Sequence, residues 1–178
     1  RSTLGGLEPA DDADTTEATH EVWAISGDQG ITSRTKQLIK GATDELIFVI
    51  GHESIYTDQL ITQLKSAETR DVTIFIGTVN EKLKRRVQDA FPEATVFVSG
   101  LDWLRQSPFA GDSTEISRLL LVDREAILVS SFTEAGDNSR EHEKGVFGRG
   151  FNNGLVAISR RLMATGLPSV DDLEDDTD

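Results

Sequence analysis

The sequence predicts an α/β protein in which a mixed sheet lies between helices on both faces, giving three layers. Short apolar runs alternate with segments whose apolar residues recur at helical spacing. Glycines follow several of these runs, as at Gly51, Gly77 and Gly100. Two later runs are joined by only three residues, too few for a crossover helix, so part of the sheet must be antiparallel.

The elements can be placed in order along the chain. The predicted strands share an apolar character, and they cover residues 21–26, 45–51, 72–77, 94–100, 117–122, 126–131 and 145–149. The predicted helices have apolar residues on one side, and they cover residues 32–42, 58–67, 80–90 and 153–164. Asn80 is the expected N-cap of the third helix, while Gly166 and Pro168 end the last one.

Charge is unevenly distributed along the chain. The net charge is −13, and ten of the thirteen excess negative charges lie in residues 1–19 and 167–178. Because acidic chains repel phosphates, we expect this chain alone not to bind nucleic acid. The basic residues of segment 81–86 alternate with apolar ones and indicate a solvated helix face. Abundant acids with six lysines are compatible with a high-salt cytoplasm.

Composition predicts one domain with two polar ends. Residues 1–19 are expected to form a flexible linker, residues 20–167 the domain, and residues 168–178 a disordered acidic tail. The chain begins at Arg1, which suggests a piece of a longer protein. It has no cysteine, no apolar run long enough to span a membrane and no signal pattern, so a cytoplasmic protein is expected.

Segment 116–134 is similar to one half of the phospholipase D fold. The motif of that superfamily reads His-x-Lys-x-x-x-x-Asp, followed after a short strand by Gly-Ser-x-Asn. When the two sequences are matched at Asp123, Arg118 stands at the lysine and Ile116 at the histidine. The second motif falls on Ser130, Ser131, Phe132 and Thr133.

The nucleophile of the resembling motif is missing. Isoleucine offers no nucleophilic atom, and a covalent phosphoryl intermediate requires one. Ser117 is adjacent, but strand alternation predicts that it points to the opposite face from Ile116. The nearest histidine, His142, lies in an acidic segment and is expected to be a solvated loop residue. The resemblance therefore implies a catalytically degenerate fold, not an enzyme.

The chain also resembles the TrmB family of archaeal transcription regulators, in particular its haloarchaeal members. The resemblance covers residues 20–167, and the segments that carry it are 20–27, 72–78, 94–104, 115–131 and 146–167. It implies a phospholipase-D-like effector domain that responds to a sugar and forms a homodimer. DNA would be bound only through an N-terminal helix-turn-helix that this chain lacks.

Candidate ligand-binding residues follow the predicted strands. Asp102 and Trp103 come after one strand, and sugar sites combine polar groups with an aromatic face. Arg149, Asn152 and Asn153 precede the last helix, whose N-terminus suits acceptor oxygens. The structural alternatives are a core or lid anchor for Trp103 and a helix cap for either asparagine.

Three further candidates are His52, Arg118 and Asp123. His52 follows a strand, although the His52–Glu53 pair lacks the second histidine of a metal motif. For Arg118 and Asp123, an internal ion pair or a turn anchor is the alternative role. The chain has no phosphate-binding loop, no nucleophile-elbow motif and no dinucleotide fingerprint, so no cofactor or metal is expected.

Two functions of different classes remain. The first is an effector-sensing and dimerisation domain of a transcription regulator that binds a sugar or sugar phosphate and affects a DNA-binding domain elsewhere. The second is a purely structural dimerisation or protein-interaction domain with a vestigial pocket. They differ in whether the cleft binds a ligand.

Overall fold

The structure, a computed structural model, describes residues 22–99, 114–132 and 143–150, together with positions 154, 156–158 and 161. The strands it describes are β1 (Val22–Ser26), β2 (Glu45–Ile50), β3 (Thr73–Thr78), β4 (Thr95–Val98), β5 (Glu115–Val122), β6 (Ala126–Phe132) and β7 (Glu143–Arg149). The helices are α1 (Asp28–Gly41), α2 (Asp58–Glu68) and α3 (Glu81–Ala90), with a 3₁₀ turn at Glu53–Ile55. Positions 154, 156–158 and 161 are helical, within the helix predicted for residues 153–164.

The strands form one mixed sheet in the order β1-β7-β6-β5-β2-β3-β4. Strands β2, β3 and β4 are parallel, and every other neighbouring pair is antiparallel. The predicted mixed α/β sheet is therefore confirmed. Strands β5 and β7 run against the rest, so they begin at the edge where β2 ends. We call this edge, which holds Ile50 of β2 and Glu143 of β7, the carboxyl edge, and the opposite one the amino edge.

Side-chain alternation divides the core between the two faces of the sheet. Helices α1, α2 and α3 pack on the face that carries Phe48 and Leu120, and this cluster is the larger one. The other face carries Ile47, Leu121 and Val156, the last from the C-terminal helical segment. Helical residues therefore cover both faces, which gives the predicted three layers.

Helix α1 begins four residues before the predicted start at residue 32. The predicted start was therefore wrong, because the first turn includes Gly30, a residue of low helix propensity. A Cβ at Gly30 would lie 3.1 Å from the Cγ2 of Ile25, so glycine allows α1 to approach β1 closely. The predicted cap is confirmed, since Asn80 Oδ1 accepts a hydrogen bond from the Leu83 N–H at 2.8 Å.

The polar ends predicted for residues 1–19 and 168–178 lie outside the described residues. So does His142, which was expected in a solvated loop. Within the described part of the chain, no helix has the length and apolar character needed to cross a membrane.

Candidate functional site

Strand β5 contains a β-bulge at the carboxyl edge. Ile116 pairs with Ser131 and Arg118 pairs with Ser130 in the strand register, so Ser117 between them is an extra residue with no paired position in β6. The bulge interrupts the alternation of side chains. As a result, Ser117 and Arg118 both lie on the face that α1, α2 and α3 cover, while Ile116 packs against the cluster on the other face. The prediction that Ser117 points to the opposite face from Ile116 is therefore confirmed, although regular alternation would have placed Arg118 with Ile116.

Gly51, just after β2, fits against this bulge. Its N–H donates a hydrogen bond to the Ser117 carbonyl oxygen at 2.9 Å. A Cβ at position 51 would overlap the Ile116 carbonyl oxygen and lie 3.0 Å from the Ser117 carbonyl oxygen. Only glycine allows the two backbones to approach this closely.

The bulge positions a buried polar cluster around Glu143, the first residue of β7. Glu143 is fully buried. Its Oε1 accepts hydrogen bonds from the hydroxyls of Ser117 and Ser130, each at 2.7 Å. The two hydroxyls also lie 2.7 Å apart. Several donors thus compensate a carboxylate that has no access to water.

Arg118 is the cation of this cluster. Its Nε lies 3.2 Å from Glu143 Oε1 and its Nη2 lies 3.3 Å from Glu143 Oε2, a two-point ion pair. Its Nη1 donates to Thr35 Oγ1 at 3.0 Å, and Thr35 donates to the Ile31 carbonyl at 2.7 Å. The guanidinium of Arg118 therefore forms hydrogen bonds with other side chains of the protein, and the Glu143 carboxylate compensates its positive charge.

A polar pocket lies beside Arg118 at the carboxyl edge. It is enclosed by α1, the 3₁₀ turn and the first two turns of α2, and its volume is about 140 Å³. Its polar lining residues are Asp28, Thr32, Thr35, Ser54, Thr57, Gln59, Gln63 and Arg118, and its apolar lining residues are Ile55 and Leu60. Ser117, Ser130 and Glu143 are buried and do not line it, whereas Arg118, which bonds to Glu143, does.

His52 lies next to this pocket, as the strand-end prediction expects. It follows β2, and its Nδ1 lies 2.7 Å from Ser54 Oγ and accepts from the Ser54 N–H at 3.1 Å. Its ring meets the edge of Phe132 with centroids 5.5 Å apart. Of the predicted ligand residues that the structure describes, His52 and Arg118 share the carboxyl edge.

Asp123 and Arg149 lie at the amino edge instead. Asp123 is in the β5–β6 turn, and its carboxylate accepts hydrogen bonds from the backbone N–H groups of Thr43, Asp44 and Glu45. The exposed Arg149 ends β7, with its guanidinium 5.7 Å from the Phe147 ring centroid. Asp123 therefore has the turn-anchoring role given above as its alternative.

The hydrogen bonds of Asp123 also set its acidity. Partial burial alone would raise the pKa of Asp123, but the N–H groups of Glu45, Asp44 and Thr43 and the Thr43 hydroxyl outweigh that effect. The pKa of Asp123 is consequently lower than its ordinary value.

The remaining predicted ligand residues lie outside the described residues: Asp102, Trp103, Asn152 and Asn153.

Most residues of the pocket lining were not predicted from the sequence. Thr35 carried a signal, because it interrupts the apolar side of α1 between Ile31 and Leu38. Gln59 and Gln63 carried no such signal in the sequence, since glutamines are common on the outer sides of helices. In the part of the chain that is described, no three acidic or histidine side chains group as metal ligands.

Comparisons with known proteins identify the fold. No protein-family model and no curated protein matches the chain. Among solved structures, the chain is similar to TrmBL2, an archaeal chromatin protein with a described mode of DNA binding, at 17% identity and a TM-score of 0.52. That match covers 92% of this chain and 63% of TrmBL2, so the chain spans less than two thirds of that relative.

Two phospholipase-D-like structures also match. Nuc, a phospholipase D family member from Salmonella typhimurium, is 12% identical with a TM-score of 0.50, over 81% of this chain and 90% of Nuc. NucT from Helicobacter pylori is 15% identical with a TM-score of 0.50, over 83% of this chain and 98% of NucT. The chain therefore has a phospholipase-D-like fold.

Proposed function

We propose that this chain is the effector-binding domain of a TrmB-type transcription regulator and binds a sugar or sugar phosphate in the pocket beside Arg118. The observation that carries the proposal is a polar pocket at the carboxyl edge, where α/β sheets bind their ligands. Ligand binding would favour one arrangement of a homodimer and so act on a DNA-binding domain outside this chain. The fold and the sequence resemblance support this context.

The proposal assigns no phosphodiesterase activity to this domain, because the resembling motif lacks its nucleophile here. Ile116, at the nucleophile position of the resembling motif, offers no reactive atom and faces the other side of the sheet. Ser117 has a hydroxyl, but it is fully buried and donates to Glu143 beneath Arg118. The described pocket lining contains an ion-paired arginine, and none of its hydroxyl groups stands at the nucleophile position of the resembling motif.

A structural dimerisation domain is the second candidate. The observation that favours it is the exposure of apolar side chains on strands β1 and β7, with exposed fractions of 44% for Val22 and 38% for Val146 on one face and 37% for Trp23 on the other. In this alternative the pocket is vestigial and no ligand changes the dimer.

Thermal unfolding against sugars, sugar phosphates and small glycolytic acids, in high salt, separates the two candidates. A ligand present at a hundred times its dissociation constant should stabilise the protein by about 2.7 kcal/mol. We expect at least one compound to raise the melting temperature, and Gln63→Ala, which alters the pocket, to remove the shift.

Gln88→Ala is the matched control, because Gln88 is an exposed glutamine on α3 outside the pocket. It should leave the shift intact. If no compound changes the melting temperature of cooperatively unfolding protein, the structural candidate replaces the sensor.

A further inference from the structure

The exposed side of helix α3 carries a cluster of cations. The helix contains four bases against two acids. Lys82, Arg85 and Arg86 are all exposed, and their spacing of three and four residues from Lys82 places them on one side of the helix. We call this side the basic face. Like charges at this spacing repel one another, so the cluster does not stabilise the helix that carries it.

No acid of the described chain is paired with the basic face. The ion pairs between described side chains are Arg118–Glu143 and Arg124–Glu45, and neither involves α3. The two acids of the helix, Glu81 and Asp89, therefore lie beyond ion-pair distance of its bases. Arg86 lies over the Tyr56 ring, which provides packing but no negative charge. The face thus presents positive charge to solvent in a chain whose net charge is −13.

The chain contains an acidic segment of matching character. Residues 167–178 carry six acids and no base, whereas residues 20–166 carry 20 acids and 17 bases and are nearly balanced. Opposite charges on two parts of one chain attract over a Debye length, which is about 10 Å at 0.1 M salt. Residues 1–19 are also acidic, but they carry only five acids over a longer stretch, together with one base.

The topology favours the C-terminal segment over the N-terminal one. Helix α3 packs on β3 and β4, and β4 is one edge of the sheet. Residues 1–19 precede β1, which forms the opposite edge. Val156, in contrast, packs against Ile47 of β2, only two strands from β4. The acidic segment therefore follows a helix that lies near the α3 side of the sheet.

The length of chain after position 161 is sufficient for contact with α3. The path around the edge at β4 crosses two strand spacings and two layers, roughly 30 Å in all. The thirteen residues from position 161 to Glu174 can span up to about 43 Å when extended. Six carboxylates can thus reach the basic face without any change in the described fold.

We propose that the basic face of α3 is a docking surface for the acidic segment 167–178 of the same chain. Carboxylates of this segment supply the counter-charges that the described residues do not provide. The contact also keeps other anions away from the main cationic surface of α3. It is separate from the pocket beside Arg118, so it does not depend on the function proposed for that pocket.

The test is cross-linking of the full chain with a carbodiimide, which joins a lysine amine directly to a carboxylate that touches it. Mass spectrometry of the digested monomer identifies the joined residues. We expect products between Lys82 and segment 167–178 to be at least fivefold more abundant than those between the segment and Lys36 or Lys40, which are exposed on α1. In 1 M salt, where the Debye length is about 3 Å, the Lys82 products should fall severalfold.

Arg85→Glu reverses one charge of the basic face and keeps Lys82, so it should lower the Lys82 products more than threefold. Lys40→Glu makes the same charge change on α1 and should leave them unchanged. Circular dichroism confirms that each variant is folded.

Equal cross-linking of the segment to Lys36, Lys40 and Lys82, or no product at Lys82 in folded protein, would overturn the proposal. A mixture of ¹⁵N-labelled and unlabelled chains identifies which copy supplies the segment. Products that join a labelled to an unlabelled chain would assign the contact to a second copy and overturn docking within one chain.

Discussion

At the scale of single residues, the ion pair between Arg118 and Glu143 is the contact for which the loss of one partner should destabilise the protein most. Both side chains are almost fully buried, with exposed fractions of 6% and 0%. A buried pair is often no better than apolar residues, but removal of one partner leaves an unpaired charge. The stability of this site therefore depends on keeping both charges together.

We predict that Arg118→Met lowers the free energy of unfolding by about 3–5 kcal/mol, because Glu143 is left buried and uncompensated. The double variant Arg118→Met/Glu143→Gln should lose clearly less, since both charges are gone. Urea unfolding of the wild type, both single variants and the double variant measures the coupling. Equal losses in Arg118→Met and the double variant would show that charge compensation is not the cause.

The lowered pKa of Asp123 leads to a prediction of how the stability of the protein depends on pH. Its folded pKa is lower than the ordinary value of 3.8, so the unfolded state takes up the proton first as the pH falls. The carboxylate therefore contributes stability above its unfolded pKa, and this contribution is lost as the pH falls through the folded pKa.

Asp123→Asn should destabilise the protein at pH 7 by about 1 kcal/mol, since Oδ1 accepts from Asp44 and Glu45 and Oδ2 from Thr43, while asparagine keeps only one neutral acceptor oxygen. Asn tolerates the φ of 53° at this position, so the variant removes the charge and one acceptor without backbone strain. Urea unfolding between pH 7 and pH 2.5 should show the difference shrinking below pH 4. A difference that stays constant over this range would contradict the assigned role.

At the scale of elements, the bulge in β5 depends on the glycine opposite it. We predict that Gly51→Ala lowers the free energy of unfolding by about 3 kcal/mol, because the added methyl group meets backbone oxygens that cannot move independently. Denaturant unfolding measures the loss.

Gly41→Ala is the matched control, since a Cβ at this last residue of α1 meets no atom within 4 Å. It should be neutral or stabilise by up to about 1 kcal/mol through helix propensity. Similar losses at both glycines would mean that close approach to the bulge is unimportant.

Strand and helix positions were predictable because their signals are local. Apolar runs located the strands, and Asn80 located the start of α3. The bulge at Ser117 was not predictable, because it depends on the register between β5 and β6. Glu143 was missed for the same reason, since its partners Ser117 and Arg118 lie 26 and 25 residues away in sequence.

For the whole molecule, net charge and the distribution of basic residues determine which partners are accessible. The basic residues Lys82, Arg85 and Arg86 are exposed on α3, while Leu83 and Val87 of the same helix are buried. This agrees with the predicted solvated helix face. Arg86 also lies over the Tyr56 ring, 5.4 Å from its centroid. The basic residues of α3 therefore form a solvent-exposed helix face, with one of them packed on an aromatic ring, in a chain whose net charge is negative.

We predict that this chain alone does not retard duplex DNA in gel-shift experiments, even at 50 mM salt, where non-specific binding is strongest. The net charge of −13 opposes association with phosphates. Retardation that weakens steeply with added salt would contradict this prediction, and Arg85→Glu would then test whether α3 is the contact.

The candidate site as a whole was only partly predictable. The strand-end rule selected His52 and the motif comparison selected Arg118, and both lie at the carboxyl edge near the pocket. The same comparison selected Asp123, which lies at the amino edge, because a motif read along β5 contains residues from both ends of the strand. The pocket itself is formed between helices that are distant in sequence, so no local pattern identifies it.

The bulge at Ser117 also bears on whether phosphodiesterase chemistry could be restored. Ile116→His together with Arg118→Lys would rebuild the spacing of the resembling motif in sequence. In this fold the new imidazole would enter the apolar cluster around Ile47 and Leu119, across the sheet from the lysine. The backbone of β5 therefore separates these two positions across the sheet, and substitution of both side chains does not bring a histidine and a lysine together on one face.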